Sequence, residues 1–290
     1  MELKYLKTIQ TIAAVGSFQK AAALLNYAPS TVTFHVQQAE AQLGFKLFTK
    51  IGRQMVFTST GKAAMPLINR LLADAASLNH FADHRDGLVG RLVVAVPETL
   101  LTYEMQGVLK QFKKQAPNVE LVIRVLNCYD IYAQMLDGKV DIAVHYDVRL
   151  YPPTIHTKKL KDFPLVLVAA PELAREDFIT PDQDKSVCAL MNDPHARYLE
   201  LFDEYLAEKH IRLRPNMELW SIEAIRNSAI SGLGVAFLPT FCVQDALIAG
   251  QLVTIPTTMT THQLTAVYAY RYLSKAGELF VKLLKQATFN

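Results

Sequence analysis

Ser17-Phe18-Gln19-Lys20-Ala21-Ala22-Ala23-Leu24-Leu25-Asn26-Tyr27-Ala28-Pro29-Ser30-Thr31-Val32-Thr33-Phe34-His35-Val36-Gln37-Gln38-Ala39-Glu40 reads as two short helices around a tight turn, with small alanines where the helices must cross closely. Pro29 suits the first turn of the second helix because it has no N–H to lose there. Val32, Val36 and Ala39 point back at a core, while Ser30, Thr31, Thr33, Gln37 and Gln38 are left outward. A helix face of hydroxyls and amides, rather than a block of charge, can donate and accept at base edges. The stretch is a helix-turn-helix motif, and its implied partner is double-stranded DNA.

The flanks agree with that motif. Leu3, Leu6, Ile9 and Ile12 recur every third residue, predicting an amphipathic helix over 2–14 with that stripe inward. Gly16-Ser17 ends it, and Ser17 can cap a second helix over about 18–25. The recognition-type helix runs over about 29–43 and stops at Gly44. Phe45-Lys46-Leu47-Phe48 and Gln54-Met55-Val56-Phe57 then flank Thr49-Lys50-Ile51-Gly52-Arg53, predicting a hairpin with basic residues at its tip that can serve as a wing. From Thr60 to about His84, Ala64, Leu67, Leu71, Ala75, Leu78 and Ala82 are spaced as a heptad seam. Such a seam predicts a dimerisation helix; the alternative is a helix packed on its own domain. Asp86-Gly87-Leu88-Val89-Gly90 breaks it as a linker.

Beyond residue 91 strand and helix patterns alternate. Leu92–Val96, Glu120–Val125, Asp141–Val144 and Leu165–Ala169 read as strands, with helices near 102–115 and 130–138. Val187–Met191, helices near 196–209 and 222–231, Gly234–Pro239, Leu264–Tyr270 and a helix near 274–287 follow. The alternation predicts parallel sheets covered by helices, and the length suits two small α/β lobes with a cleft between them.

The full chain of 290 residues, 51% hydrophobic, is long enough for two or three domains. No apolar run approaches the roughly 20 residues needed to span a bilayer, so no membrane partner is expected. The first residues lack the apolar and small-residue pattern of a signal peptide, which predicts a cytoplasmic protein. Net charge is +3, yet residues 1–66 hold seven Lys/Arg against two acids, while the remainder holds 23 against 25. Positive charge thus gathers around the helix-turn-helix, as phosphate contact requires. Cys128, Cys188 and Cys242 are scattered without metal-ligand spacing, which predicts reduced thiols.

Taken together, the chain resembles the LysR-type transcriptional regulators over essentially its whole length. The resemblance is carried by Gly16-Ser17-Phe18, Ala21-Ala22, Leu24, Ser30-Thr31-Val32-Thr33, Glu40, Leu43-Gly44, Leu47-Phe48, and Arg53 followed by Thr58 and Gly61. Gly138-Lys139-Val140-Asp141-Ile142-Ala143-Val144 and Gly232-Leu233-Gly234-Val235-Ala236-Phe237-Leu238-Pro239 are similar to the family's lobe signatures. The resemblance implies an α/β chain with an N-terminal winged helix-turn-helix, a long linker helix and a bilobal, periplasmic-binding-protein-like α/β effector domain. The expected divisions are 1–60, 61–87 and 88–290, with lobe I at about 91–163 and 266–290 and lobe II at about 164–265. It also implies a dimer or tetramer whose operator binding is modulated by a small molecule. Pro29 stands where Gln is frequent, Phe34 where Arg is frequent, and Gln37-Gln38 where basic residues are frequent. The recognition helix is therefore less basic than usual, and operator bases do not transfer.

For DNA, the candidates are Ser30, Thr31, Thr33, Phe34 and Gln37, with Lys50 and Arg53 at the wing and Lys62 nearby. Gln suits an adenine edge, Phe a thymine methyl, and Lys a phosphate. For an effector, the place to look lies beyond the carboxyl ends of the strands. The candidates there are Glu98, Thr99 and Leu100; Asn127, Cys128 and Tyr129; His145, with Tyr146; Asp193, His195 and Arg197; and Ser221 with Ile222. The ordinary reading of each loop is helix capping. His195 and Arg197 favour an acidic metabolite. Cys128 raises a thiol-redox sensor without an obvious partner cysteine, and His80 and His84 sit at metal-ligand spacing with nothing to complete a site. No catalytic constellation, phosphate-cradling glycine loop or cofactor motif is present, so neither an enzyme nor a cofactor is expected. The competing reading is a bilobal small-molecule binding protein without a regulatory role, against which the N-terminal module argues.

Overall fold

The computed structural model describes residues 1–51, 54–83, 88–193, 195–260 and 263–289, without the side chains of residues 54, 73, 76, 77 and 79–83. The chain divides into two compact units, Met1–Arg85 with Leu136–Lys139, and Asp86–Met135 with Val140–Asn290.

The first unit consists of α1 (Leu3–Val15), α2 (Phe18–Leu25), α3 (Pro29–Leu43), the hairpin β1 (Phe48–Ile51) and β2 (Gln54–Phe57), and α4 (Ser59–Asp83). Its three short helices end on left-handed residues, Gly16 at φ 66°, Asn26 at φ 54° and Gly44 at φ 77°, the conformation that glycine and asparagine tolerate best. The Ser17 side chain caps α2 through the Lys20 N–H. Leu6, Ile9 and Ile12 of α1 meet Ala21 and Ala22 of α2 and Val32, Val36 and Ala39 of α3 in one core. Leu3 departs from the expected stripe and is exposed. Tyr5 takes the inward place in that first turn, its ring against those of Phe34 and His35. His35 is itself buried, with a ring nitrogen 2.8 Å from the Thr8 hydroxyl, and burial lowers its pKa.

One buried carboxylate fastens α3 to the hairpin. Glu40 Oε1 accepts the Leu47 N–H at 2.9 Å and the Phe48 N–H at 3.1 Å, while Oε2 takes Lys46 Nζ at 2.7 Å. A second clasp joins the hairpin to α4. The Thr58 hydroxyl donates to the Lys46 carbonyl at 2.7 Å and accepts the Gly61 N–H at 2.8 Å. Helix α4 then runs so close to Leu47 that a Cβ at Gly61 would lie 2.2 Å from its carbonyl oxygen. Only glycine permits that approach.

Helix α4 has two apolar faces. Ala64, Met65, Ile68 and Leu72 pack on the core of the first unit, and Gln10 Nε2 donates to Asn69 Oδ1 at 3.0 Å. Leu67, Leu71 and Leu78 are 54%, 48% and 73% exposed. Of the expected seam, Ala64 belongs to the inward face and the three leucines to the outward one. The helix thus packs on its own unit with one side and leaves a second apolar side open. Ala82 lies outside the described side chains.

In the second unit β3 (Gly90–Val96), β4 (Val119–Val125) and β5 (Ile142–Tyr146) carry between them α5 (Glu98–Tyr103), α6 (Gln106–Gln115) and α7 (Cys128–Leu136). Next come the long β6 (His156–Ala169), β7 (Asp184–Met191), α8 (Arg197–Glu208), β8 (Arg212–Glu218), α9 (Ile222–Ile230), β9 (Ala236–Pro239), α10 (Gln244–Ile248), β10 (Val253–Thr254), β11 (Gln263–Tyr270) and α11 (Lys275–Gln286). The expected parallel sheets are in fact mixed. β3 pairs in parallel with β4 and β5, and β7 with β8, but β11 runs antiparallel to both β5 and β6. The single expected strand at 165–169 is the far half of β6. His156 to Pro164 of β6 pair with β11 in lobe I, and Leu165 to Val168 pair with β9 in lobe II. Two lobes therefore share one strand.

Replacing Glu40 with alanine leaves two buried N–H groups without their acceptor, a loss of about 1–3 kcal/mol. Glu40→Ala should lower the unfolding midpoint of the component of the far-UV circular dichroism signal that belongs to α1–α4, so that the helical signal begins to be lost at a lower temperature than in the parent. The transition followed by the single tryptophan, Trp220 in the second unit, should stay in place.

Candidate functional site

Helix α3 presents its predicted outer face. Ser30, Thr33, Phe34 and Gln37 are exposed and Thr31 half-buried, while Val32, Val36 and Ala39 are buried. Burial alternates in this way because helical residues three and four apart share a face. Thr33 donates its hydroxyl proton to the Pro29 carbonyl at 3.1 Å, so outward it offers an acceptor. Phe34 is held edge-on by Tyr5, with ring centroids 6.3 Å apart. No lysine or arginine lies on α3; the exposed Lys46 pairs with its Glu40, and Lys20, Lys50 and Lys62 are exposed on other elements of this unit. The β1–β2 hairpin forms with Ile51 opposite Gln54. Arg53 lies outside the described residues.

The second unit holds a cavity of about 380 Å³ between its lobes, within the range of small-molecule sites. Lobe I supplies Pro97, Glu98 and Thr99 at the start of α5, Val125 to Cys128 at the end of β4, Asp130, and Tyr146. Lobe II supplies Asn192, Asp193, Ala196, Arg197 and Tyr198 around the start of α8, and Trp220 before α9. All are strand ends or helix beginnings, because that is where two α/β lobes face each other. Thr99 and Tyr146 share a hydroxyl hydrogen bond of 2.8 Å on the floor, and the Tyr198 hydroxyl donates to Asn192 Oδ1 at 2.7 Å. Burial raises the pKa of both tyrosines, so both hydroxyls remain neutral.

Among the described residues, side chains of lobe I bond to lobe II at three places. Glu98 Oε1 accepts the Ile222 N–H at 3.0 Å, and the Tyr129 hydroxyl donates to Glu200 Oε2 at 2.9 Å. The Tyr103 hydroxyl donates to Glu223. Glu200 Oε2 also takes Arg197 Nη1 at 3.0 Å.

Seven predicted residues line the cavity: Glu98, Thr99, Asn127, Cys128, Tyr146, Asp193 and Arg197. The others lie elsewhere, for identifiable reasons. Leu100 falls on the inner side of α5, in the core. His145 and Tyr146 are neighbours on β5, and neighbours on a strand point to opposite faces. Tyr146 reaches the cavity; His145 is fully buried, its Nδ1 2.7 Å from the Tyr146 carbonyl and its Nε2 2.7 Å from the Tyr151 hydroxyl. It is a satisfied core histidine with a lowered pKa caused by burial. Tyr129 is a lobe-to-lobe contact. His195 is exposed, in a turn where its N–H caps Asp193 Oδ1 at 2.8 Å. Ser221 begins α9 without a side-chain cap, and Ile222 contributes its backbone N–H while its side chain is buried.

Trp220 and Tyr198 are chemically important lining residues that sequence reasoning does not name. Trp220 directly precedes Ser221, and Tyr198 follows Arg197, so the segments are legible and the phase within each is not. The grounds for an acidic ligand also weaken, since His195 faces away and the Arg197 guanidinium is engaged by Glu200.

Burial pushes the Cys128 thiol up to about 12. A thiol held protonated is a poor nucleophile, and Cys128, Cys188 and Cys242 are all free. Among the described residues there is no cluster of metal-ligating side chains. The side chain of His80 and all of His84 lie outside the described residues. No described helix is long and apolar enough to cross a membrane.

Comparison with known proteins agrees with both halves of this geometry. Residues 3–62 match the bacterial regulatory helix-turn-helix protein, lysR family, and residues 85–288 match the LysR substrate binding domain. The HTH-type transcriptional regulator YfiE of Escherichia coli (strain K12) is 33% identical over 290 residues, covering 99% of each chain. The crystal structure of ArgP from Mycobacterium tuberculosis shares the fold with a TM-score of 0.74 at 19% identity, covering 97% of this chain and 95% of that one. Full-length LysG from Corynebacterium glutamicum, solved with the effector Arg bound, has a TM-score of 0.68 at 17% identity, covering 99% and 97%. A recognition-helix face in one unit and a two-lobed cavity in the other, each matched along its length, place the chain in the LysR family of DNA-binding transcriptional regulators.

Proposed function

We propose that this regulator reads an operator through Ser30, Thr31, Thr33, Phe34 and Gln37, and responds to an organic molecule held between the lobes of its second unit. The observation that carries the DNA reading is the outer face of α3, polar and exposed over a tightly packed core. Its side chains suit base edges, with Gln37 matched to adenine and Phe34 to a thymine methyl. Lys50, Arg53 and Lys62 neutralise phosphates and set register. The DNA-binding domain is residues 1–60, the linker helix 61–87 and the effector domain 88–290.

The observation that carries the effector reading is the cavity lined from both lobes, by Glu98, Thr99, Asn127 and Cys128 on one side and Asp193 and Arg197 on the other. Because Glu98, Tyr103 and Tyr129 already bond across the gap, a ligand there changes which lobe arrangement is favoured. It can act on transcription only by binding one arrangement better than another. The protein carries out no reaction of its own in this scheme, and it works in the cytoplasm, where its operator lies. The N-terminal helix-turn-helix favours this over a binding protein without a regulatory role.

The exposed leucine stripe of α4 gives the assembly its contact. Leu67, Leu71 and Leu78 leave apolar area in water unless a second helix covers them, and a dimer presents two recognition helices to two half-sites.

Ser30→Ala and Gln37→Ala should each weaken binding to a selected operator by roughly 1–3 kcal/mol where they touch bases. Gel shift measures this, with unfolding midpoints expected unchanged because both side chains are exposed. Parental affinity in both variants would contradict the assigned face. Leu71→Asp places an unpaired charge in the stripe and should shift the protein towards monomer in sedimentation velocity, with operator affinity falling alongside. An unchanged oligomer would reject α4 as the interface.

A further inference from the structure

We propose, building on the assignment of the interlobe cavity as the effector site, that its ligand is an organic cation. A protonated amine lies against Glu98, Asp130 and Asp193, and the carbon skeleton of the ligand lies against Trp220. The charge lining the cavity is unbalanced. Glu98, Asp130 and Asp193 face it, and among the described lining residues Arg197 is the one cation. That guanidinium is itself matched by Glu200 at 3.0 Å. Three carboxylates and one guanidinium therefore line the cavity, with Glu200 behind Arg197 and Arg149 behind Tyr129, 5.4 Å over its ring. An anion entering here meets like charge in a partly desolvated space, whereas an ammonium is attracted by all three lining acids.

The carboxylates also have bonding capacity to spare. Glu98 Oε1 takes the Ile222 N–H at 3.0 Å, Asp130 Oδ2 takes Asn127 Nδ2 at 2.9 Å, and Asp193 Oδ1 takes the His195 N–H at 2.8 Å. Each of these bonds holds its side chain in place through one oxygen. The opposite oxygen of each is the one that an N–H donor of the ligand would meet, and an ammonium brings three such donors.

Beside the polar Thr99, Asn127 and Asn192, the lining carries apolar and aromatic surface. Val125, Leu126, Pro97 and Ala196 provide carbon surface, and Trp220 is 80% exposed. A large indole left in water at the mouth of a cavity favours a cationic or apolar guest, because its ring face attracts positive charge. Trp220 is also the single tryptophan of the chain, so its emission reports on this site without a label.

The test uses the full chain at neutral pH and probes matched in carbon skeleton but opposite in charge. Butylamine is set against butyrate, phenethylamine against phenylacetate, and putrescine against succinate. Leucine and lysine, which add a carboxylate to the amine, separate an amino-acid source from a simple amine. Trp220 emission is titrated with each probe, on the parent and on D130N, D193N and their double variant. Asparagine has the shape of aspartate, and the folding of each variant is checked by circular dichroism.

A saturable change with an amine or an amino acid, none with the carboxylates, and affinity reduced about tenfold or more in the double variant are expected, the size of a lost charge-assisted hydrogen bond. Saturation by the carboxylates overturns the charge assignment; if Ala196→Phe, which fills the cavity without adding a second tryptophan, abolishes that saturation, the cavity remains the effector site. Amine binding that is unchanged in both the double variant and Ala196→Phe means that the ligand sits elsewhere, and the cavity assignment falls too. No response to any amine or amino acid also overturns the proposal.

Discussion

The effector half of the molecule depends on a single strand shared by two lobes. β6 spends His156 to Pro164 hydrogen-bonded to β11 in lobe I and Leu165 to Val168 hydrogen-bonded to β9 in lobe II. Because the backbone ladder is continuous, neither lobe can leave the other, yet the strand constrains only one edge of the space between them. What remains open is the mouth formed by the ends of β3 and β4 and the beginnings of α5, α7, α8 and α9. Those are the segments that line the cavity. Cross-lobe bonds from Glu98, Tyr103 and Tyr129 close the mouth further. Glu98 both lines the cavity and accepts a bond across it, and Tyr129 follows the lining Cys128, so occupancy of the cavity and closure of the lobes share a side chain. That sharing is what a sensing domain requires.

The N-terminal unit solves a different problem with the same economy. A helix that must offer Ser30, Thr33 and Gln37 to solvent has little apolar face with which to hold itself in place. Glu40, on the opposite side of α3, compensates by accepting two hairpin N–H groups that no strand partner would satisfy. Thr58 and Gly61 then let α4 cross Leu47 at backbone distance. The price is a buried acid in a small core, tolerable because Lys46 and both amides satisfy it.

Much of this is legible in the sequence. Helices α2 and α3 fall on the expected residues, because Gly16-Ser17, Pro29 and Gly44 punctuate them with definite backbone chemistry. The four loop segments of the cavity follow from strand-to-helix position alone. Phase does not. His145 and Tyr146 are adjacent, and which of the two faces the cavity is decided by the pleat of β5, set by pairing with β3 and β11. Leu100 and Thr99 differ in the same way around α5. Tyr5 displaces Leu3 because Phe34 and His35 offer it an aromatic site, a contact between distant segments. The mixed sheet escapes the sequence because alternating strand and helix patterns carry no record of the direction in which β11 returns. β8, exposed along its length but for the half-buried Leu213, lacks the apolar run that announces a strand.

That one interlobe cavity both holds the effector and governs operator binding is tested most directly by native mass spectrometry. The full chain is exposed to the small-molecule fraction of a bacterial extract, and operator-binding anisotropy is followed in the same extract. If the cavity plays both parts, the parent gains a bound mass and its operator isotherm shifts, while Ala196→Trp, with the cavity filled, shows neither change and still binds operator. An equal bound mass on both proteins, or an isotherm shift of the same size in both, would contradict it.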